Sequence, residues 1–304
     1  MARDKIVQID GGIGRVLCAT AAVERLGARL KDEGSGARIV VLTSSPEVFV
    51  NNPHVYKTYG LGREHLWDDV IQHGDFSYPE PYYDPLYYTK QRHLIDAFDA
   101  ILNPEGSSIP LSPVPRVYLS REERAGAQEL MNRIKIDGKE VALLQMHGSA
   151  YKGAEDGDRT ERSLGADVAL DLIDKTTSDN RLCYINTSHV PVNHPSVWQQ
   201  SFNTRQILSL AELVDFVVTI DSATSHIGAA FNKTGVLLLG GTWAENVGYA
   251  SYRIMTRPGY PRDYLPNRFV STLRYNEGAM EFGEEEVREI AKVITEREFG
   301  CHMV

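Results

Sequence analysis

The chain has 304 residues, of which 42% are hydrophobic and 24% charged, which excludes an intrinsically disordered polymer and suits two domains of roughly 150 residues each. Its net charge of −9 gives no overall attraction to nucleic acid or anionic lipid. No apolar run, Gly235 to Gly241 included, is long enough to span a bilayer, and the three widely spaced cysteines, Cys18, Cys183 and Cys301, argue against a disulfide framework or a zinc cluster. The start Met-Ala-Arg-Asp-Lys runs directly into an apolar strand with no signal-like apolar region. A cytoplasmic protein is therefore expected.

In chain order, Lys5 to Asp10 (KIVQID) reads as a buried strand, followed by the turn Gly11-Gly12-Ile13-Gly14 and a helix-periodic stretch from Val16 to Leu30. Arg38 to Thr43 is a second strand, so the chain opens as strand–helix–strand, the beginning of a parallel sheet. Phe76 to Tyr88, dense in Tyr and Pro, reads as a loop, and Lys90 to Leu102 as a helix. Pro104 to Pro115 breaks the chain with four prolines, and Ser120, with Glu123 three residues on, starts a helix to about Ile134. Ile136 to Lys139 reads as a linker. The pattern then restarts: strand 141–146, polar loop 147–162, helix 166–175, strand 181–186, short helix 208–214, strand 216–220, helix from Ser225, strand 235–239 and a C-terminal amphipathic helix 284–298. The expected architecture is α/β, two Rossmann-like domains with parallel sheets (1–136 and 137–304) facing a central cleft, with ligands at the carboxyl ends of the strands. The last helix is free to pack back on the first domain.

Four stretches carry candidate chemistry. Asp10-Gly11-Gly12-Ile13-Gly14-Arg15 places glycines and a helix N-terminus at a strand end, which suits an anion or a hydroxyl-rich ligand; its spacing is not that of a dinucleotide fingerprint. Asp221-Ser222-Ala223-Thr224-Ser225-His226 is a polar cluster at the end of an apolar strand, able to present hydroxyls and backbone N–H groups to phosphate. The loop from His147 through Gly148, Ser149 and Lys152 to Arg159 and Arg162 supplies cations that suit a diphosphate. Gly240-Gly241-Thr242-Trp243 follows the next strand and reads equally as a segment closing over a base or sugar and as a plain Gly-rich turn. Tyr78, Tyr82, Tyr83, Tyr87 and Tyr88 form an aromatic cluster, either a stacking platform for an acceptor or plain packing of a long loop. No metal site is expected: Asp68-Asp69 and Asp156-Gly157-Asp158 follow no apolar strand, and the histidines show no metalloprotease spacing.

Three stretches of the chain, in the family's order, resemble glycosyltransferase family 9, the ADP-heptose:lipopolysaccharide heptosyltransferase-like proteins. They are GGIGRVLCATAA from Gly11, LIDAFDAIL from Leu94, and LSLAELVDFVVTIDSATSHIGAAFNKTGVLLLGG from Leu208. The resemblance implies a GT-B fold, a nucleoside-diphosphate sugar as co-substrate, no other cofactor, no obligatory metal, and inversion at the anomeric carbon. It matches Asp221, Ser222, Ser225 and His226 to the family's donor turn and brings Arg162 near its basic diphosphate-binding position; the reading of the residues adds Gly148, Ser149, Lys152, Asn186, Ala223, Thr224 and Thr242 to the expected donor set. The acceptor falls to Gly11, Gly12, Gly14, Tyr83 and Tyr87, and the catalytic set is Asp10, Arg15 and Arg162. Two departures stand out. Ala223 occupies a usual glycine position, and Arg15 stands where family members commonly carry the aspartate base. Asp10 is the substitute base, with Asp84 and Asp96 behind it. The acceptor is a saccharide, a glycolipid or a hydroxylated nucleobase in DNA; the alternatives are a catalytically inactive nucleotide-sugar-binding module and a sugar-nucleotide epimerase of the same fold.

Overall fold

The computed structural model describes residues 2–134, 138–148, 162–259 and 278–299. The chain forms two compact units, residues 1–121 and 122–304. In the first lie β1 (Lys5–Ile9), α1 (Ile13–Asp32), β2 (Ile39–Thr43), β3 (Lys57–Gly60), α2 (Leu66–Asp69), β4 (Asp75–Ser77), α3 (Pro85–Tyr88) and α4 (Leu94–Leu102). Its strands are all parallel, in the order β3-β2-β1-β4. β2 (IVVLT) is buried along its whole length, as a strand covered on both faces must be. Val16, Leu17, Val23, Leu26 and Leu30 form the buried stripe of α1, which packs on α4. Ile6, Val40 and Leu42 meet Val70, Leu66 and Ile71 in a second small cluster.

The second unit contains α5 (Arg121–Ile134), β5 (Glu140–Gln145), α6 (Ala166–Thr177), β6 (Leu182–Asn186), β7 (Val197–Trp198), α7 (Thr204–Ala211), β8 (Phe216–Ile220), α8 (Ala223–Ala230), β9 (Gly235–Leu239), α9 (Ala244–Val247), β10 (Tyr252–Thr256) and α10 (Glu284–Glu296). All six strands are parallel, in the order β10-β9-β8-β5-β6-β7. Counted from the unit's own first strand this is the doubly wound nucleotide-binding order, and it reverses direction between β5 and β8. Ligands of such sheets bind beyond the carboxyl ends at that reversal. In the first unit the reversal falls between β1 and β4.

The core of the second unit joins Ala142, Leu144, Phe216, Val218, Ile220, Val236 and Leu238 of the sheet to Leu172 and Ile173 of α6 and Val287, Ile290, Val293 and Ile294 of α10. Each such side chain stabilises the fold by about 1.5–3 kcal/mol through burial. The apolar face of α10 is thus part of the core of its own unit. α5 belongs to the second unit, where Arg205, on α7, makes a two-pronged bond to Glu123 at 2.6 Å, and Arg124 donates to Glu212 at 2.8 Å. Among the described residues, no helix is long and apolar enough to cross a membrane.

Several elements differ from the sequence expectation. β3, β4, β7 and β10 lie in stretches with no predicted strand. α4 starts at Leu94 rather than Lys90, because Lys90 has φ 63° and His93 accepts the Ile95 N–H as N-cap. α7 starts four residues before the predicted Leu208, where Asn203 and Gln206 form a reciprocal capping box.

Candidate functional sites

In the second unit β8 ends at Ile220 and the chain turns through Asp221 and Ser222 into α8. Ser222 is the extended N-cap residue, yet its side chain makes no capping bond; its hydroxyl pairs with Thr219 Oγ1 at 3.0 Å. The N-cap side chain therefore does not close the positive end of α8, and first-turn N–H groups at such a helix start suit an anion. Asp221 is held beside it. Thr242 Oγ1 donates to Asp221 Oδ2 at 2.7 Å, and Arg162 Nη1 lies 3.8 Å from the same oxygen. Arg162 is anchored from the β5 side, where the Gly148 N–H donates to Ser163 Oγ at 2.8 Å and the Leu164 N–H to the Met146 carbonyl at 2.9 Å. A guanidinium and a helix N-terminus suit a phosphate group, while the Asp221 carboxylate would repel phosphate and suits the hydroxyls of a sugar.

Several other donor-side candidates are buried. Thr224, Ser225 and His226 are 1%, 0% and 4% exposed. Thr224 donates to Gln145 Oε1 at 2.6 Å, and Ser225 to the Ser222 carbonyl at 2.8 Å. His226 Nδ1 lies 2.6 Å from the Tyr249 hydroxyl, ring edge to ring face. Burial pushes the His226 imidazolium down to about 4, against the opposing pull of Asp221, so His226 is neutral at pH 7 and cannot serve as a cation for diphosphate. These three side chains seat α8 on the sheet. Asn186 is buried as well, its amide spent on the Val190 carbonyl, Gln199 Oε1 and the Ser188 N–H, so it shapes its own loop. Thr242 positions Asp221. Ala223 is partly exposed at the helix start. Ser149, Lys152 and Arg159 lie outside the described residues.

In the first unit β1 ends at Ile9, and Gly11 takes φ 96°, a conformation glycine adopts without strain. Gly12, open on its Cβ side, is the N-cap of α1, which again has no side-chain cap, and Gly14 lies in the first turn. Arg15 is 5% exposed, between the rings of Tyr82 (4.9 Å) and Phe98 (5.8 Å). Its Nη2 lies 3.5 Å from Asp10 Oδ1 and 3.2 Å from Glu80 Oε2. The Tyr78 hydroxyl donates to Asp10 Oδ2 at 2.9 Å. Burial first, then that bond and the charges of Asp10 and Glu80, hold the phenol above its ordinary range, so Tyr78 remains a donor at neutral pH. Arg15 is thus buried against two aromatic rings and turned toward the carboxylates of Asp10 and Glu80.

The other candidates fare differently. Asp84 caps α3 through the Tyr87 N–H (2.8 Å) and pairs with Arg92 at 2.6 Å, so it is spent on structure. Asp96 lies in the first turn of α4, where burial first of all holds its carboxyl above the usual carboxylate range. Tyr87 is 2% exposed and packs on Tyr82, which rules it out as a stacking surface, whereas Tyr83 is 63% exposed. Glu80 escapes a sequence reading because it follows β4, whose Asp75-Phe76-Ser77 carries no apolar run to announce a strand end.

No family model and no curated protein sequence matches the chain. Solved structures do. A glycosyltransferase family 9 protein from Veillonella parvula DSM 2008 superposes with a TM-score of 0.71 at 15% identity, covering 97% of this chain and 98% of that one. The E. coli ADP-heptose lipopolysaccharide heptosyltransferase II gives 0.62 at 12% identity, over 97% and 99%, and an E. coli heptosyltransferase with ADP gives 0.51 at 11%, over 81% and 90%. The chain thus has the GT-B fold, and over nearly its whole length it is similar to family 9 glycosyltransferases and ADP-heptose heptosyltransferases.

Proposed function

We propose that the chain is a glycosyltransferase that moves a sugar from a nucleoside-diphosphate donor to an acceptor hydroxyl with inversion. One observation carries this reading: Arg162, Asp221 and the uncapped start of α8 coincide at the β5/β8 reversal of a nucleotide-binding sheet. The second unit serves the donor, with Arg162 and the α8 N-terminus stabilising the departing diphosphate in place of a metal ion and Asp221 accepting bonds from sugar hydroxyls. The first unit serves the acceptor. Asp10 takes the proton from the attacking hydroxyl as general base, and the exposed Tyr83, with Tyr78 at 41% exposure, offers rings on which a saccharide, the glycan of a glycolipid or a hydroxylated nucleobase stacks. A single displacement of this kind inverts the anomeric carbon.

The test is release of nucleoside diphosphate from a panel of sugar nucleotides, with and without acceptors. Release that depends on acceptor is expected, and Asp10→Asn should lower turnover by about 10²-fold or more while leaving donor binding unchanged. Nucleotide binding without any release would make the chain a binding module. A new sugar nucleotide formed with no acceptor present would make it an epimerase.

A further inference from the structure

At the end of the first sheet two carboxylates share one cation. Arg15 Nη2 reaches both Asp10 and Glu80, at 3.5 and 3.2 Å, and the Tyr78 hydroxyl, bonded to Asp10 Oδ2 at 2.9 Å, is also 3.3 Å from Glu80 Oε2. The parts are not equivalent. Glu80 is fixed by its own turn, its Oε1 accepting the Tyr82 N–H at 3.4 Å. The Asp10 side chain is 23% exposed against 14% for Glu80, so Asp10 is the more open to a ligand. A carboxylate paired alone with a buried guanidinium is a poor base, since an opposite charge within about 4–6 Å holds it ionised by roughly 1–3 pH units. A second carboxylate on the same guanidinium offsets that effect.

We propose that Glu80 is a positioning residue of the first unit's site, sharing Arg15 with Asp10 so that Asp10 keeps enough basicity to accept a hydroxyl proton. This rests on the transferase reading, and it explains how an arginine can occupy position 15 without abolishing the base. In the step itself the acceptor O–H bond breaks, with its proton passing to Asp10. The acceptor oxygen bonds to the anomeric carbon as the bond from that carbon to the diphosphate oxygen breaks, and the electron pair leaves with the diphosphate. Asp10 then returns the proton to solvent.

The experiment is a carbon-13 carboxyl NMR titration of Asp10 in the full chain, which needs neither donor nor acceptor. In Glu80→Gln, Arg15 faces Asp10 alone, and the Asp10 midpoint should fall by about one pH unit. In Arg15→Gln the two carboxylates face each other, and the midpoint should rise by a similar amount. Glu80→Asp should restore the wild-type midpoint. Shifts of opposite sign in the two variants support the proposal; an unmoved midpoint, or movement in one direction in both, overturns it. If Arg15→Gln does not fold, the contrast between Glu80→Gln and Glu80→Asp decides. The expected shifts without diphosphate release by the wild type would refute the transferase reading alone, while release with an unmoved Asp10 would refute the role of Glu80 alone.

Discussion

His226 shows how a residue that looks like ligand chemistry can instead be a stability device. Its imidazolium is held down at about 4 against an ordinary 6.5, so the folded chain keeps it neutral where the unfolded chain would protonate it. The unfolded state then binds the extra proton between pH 6.5 and 4, and stability must fall as pH drops through that window. The part due to His226 is about 2 kcal/mol between pH 7 and pH 5. Urea unfolding at the two pH values should show a loss of that order in the wild type and a smaller one in His226→Gln; equal losses would mean the ring is not buried as described. The sequence makes Asp221 legible, because the apolar run FVVTI stops abruptly at a carboxylate. That Thr224, Ser225 and His226 turn inward is not legible, since hydroxyls and imidazoles are found both in ligand sites and in satisfied interiors, and only packing separates the two.

Among the elements, α8 depends on one glycine. A Cβ at Gly228 would sit 2.6 Å from Val217 Cγ2 and against the hydroxyl of Tyr252, which donates to the Ser225 carbonyl at 2.7 Å. Gly228→Ala should push the helix off β8, lowering stability by about 1–3 kcal/mol. Because the helix start is the proposed anion site, nucleotide affinity should fall with it, which calorimetry on the folded variant measures; undiminished affinity would detach the site from α8. The strands that bear the second unit's site are legible as runs of β-branched and aliphatic residues, as in VALLQ of β5 and GVLLL of β9. β3 and β4 are not. Lying at the two edges of the first sheet, they contain no fully buried residue, and without burial the hydrophobic pattern that marks a strand is absent. Glu80 is hidden for the same reason, so half of the carboxylate pair is missing from any reading of the sequence alone.

For the molecule as a whole, the restart of the strand–helix pattern after residue 138 announces two nucleotide-binding-type sheets, and both sheets place their polar clusters at the reversal of strand order. The division at 121/122 falls ahead of the predicted linker, and charged side chains bind α5 to α7 across about eighty residues of sequence, contacts that no local pattern encodes. The central claim is that the β5/β8 reversal holds a sugar nucleotide through Arg162 and the start of α8. Isothermal titration of the full chain with a panel of nucleoside diphosphates and their sugars tests it most directly. At least one nucleotide should bind, and Arg162→Ala should weaken it by about 10- to 100-fold, the loss of one charge-assisted bond to phosphate. Binding by none of them, or an affinity unchanged by Arg162→Ala, would contradict the account.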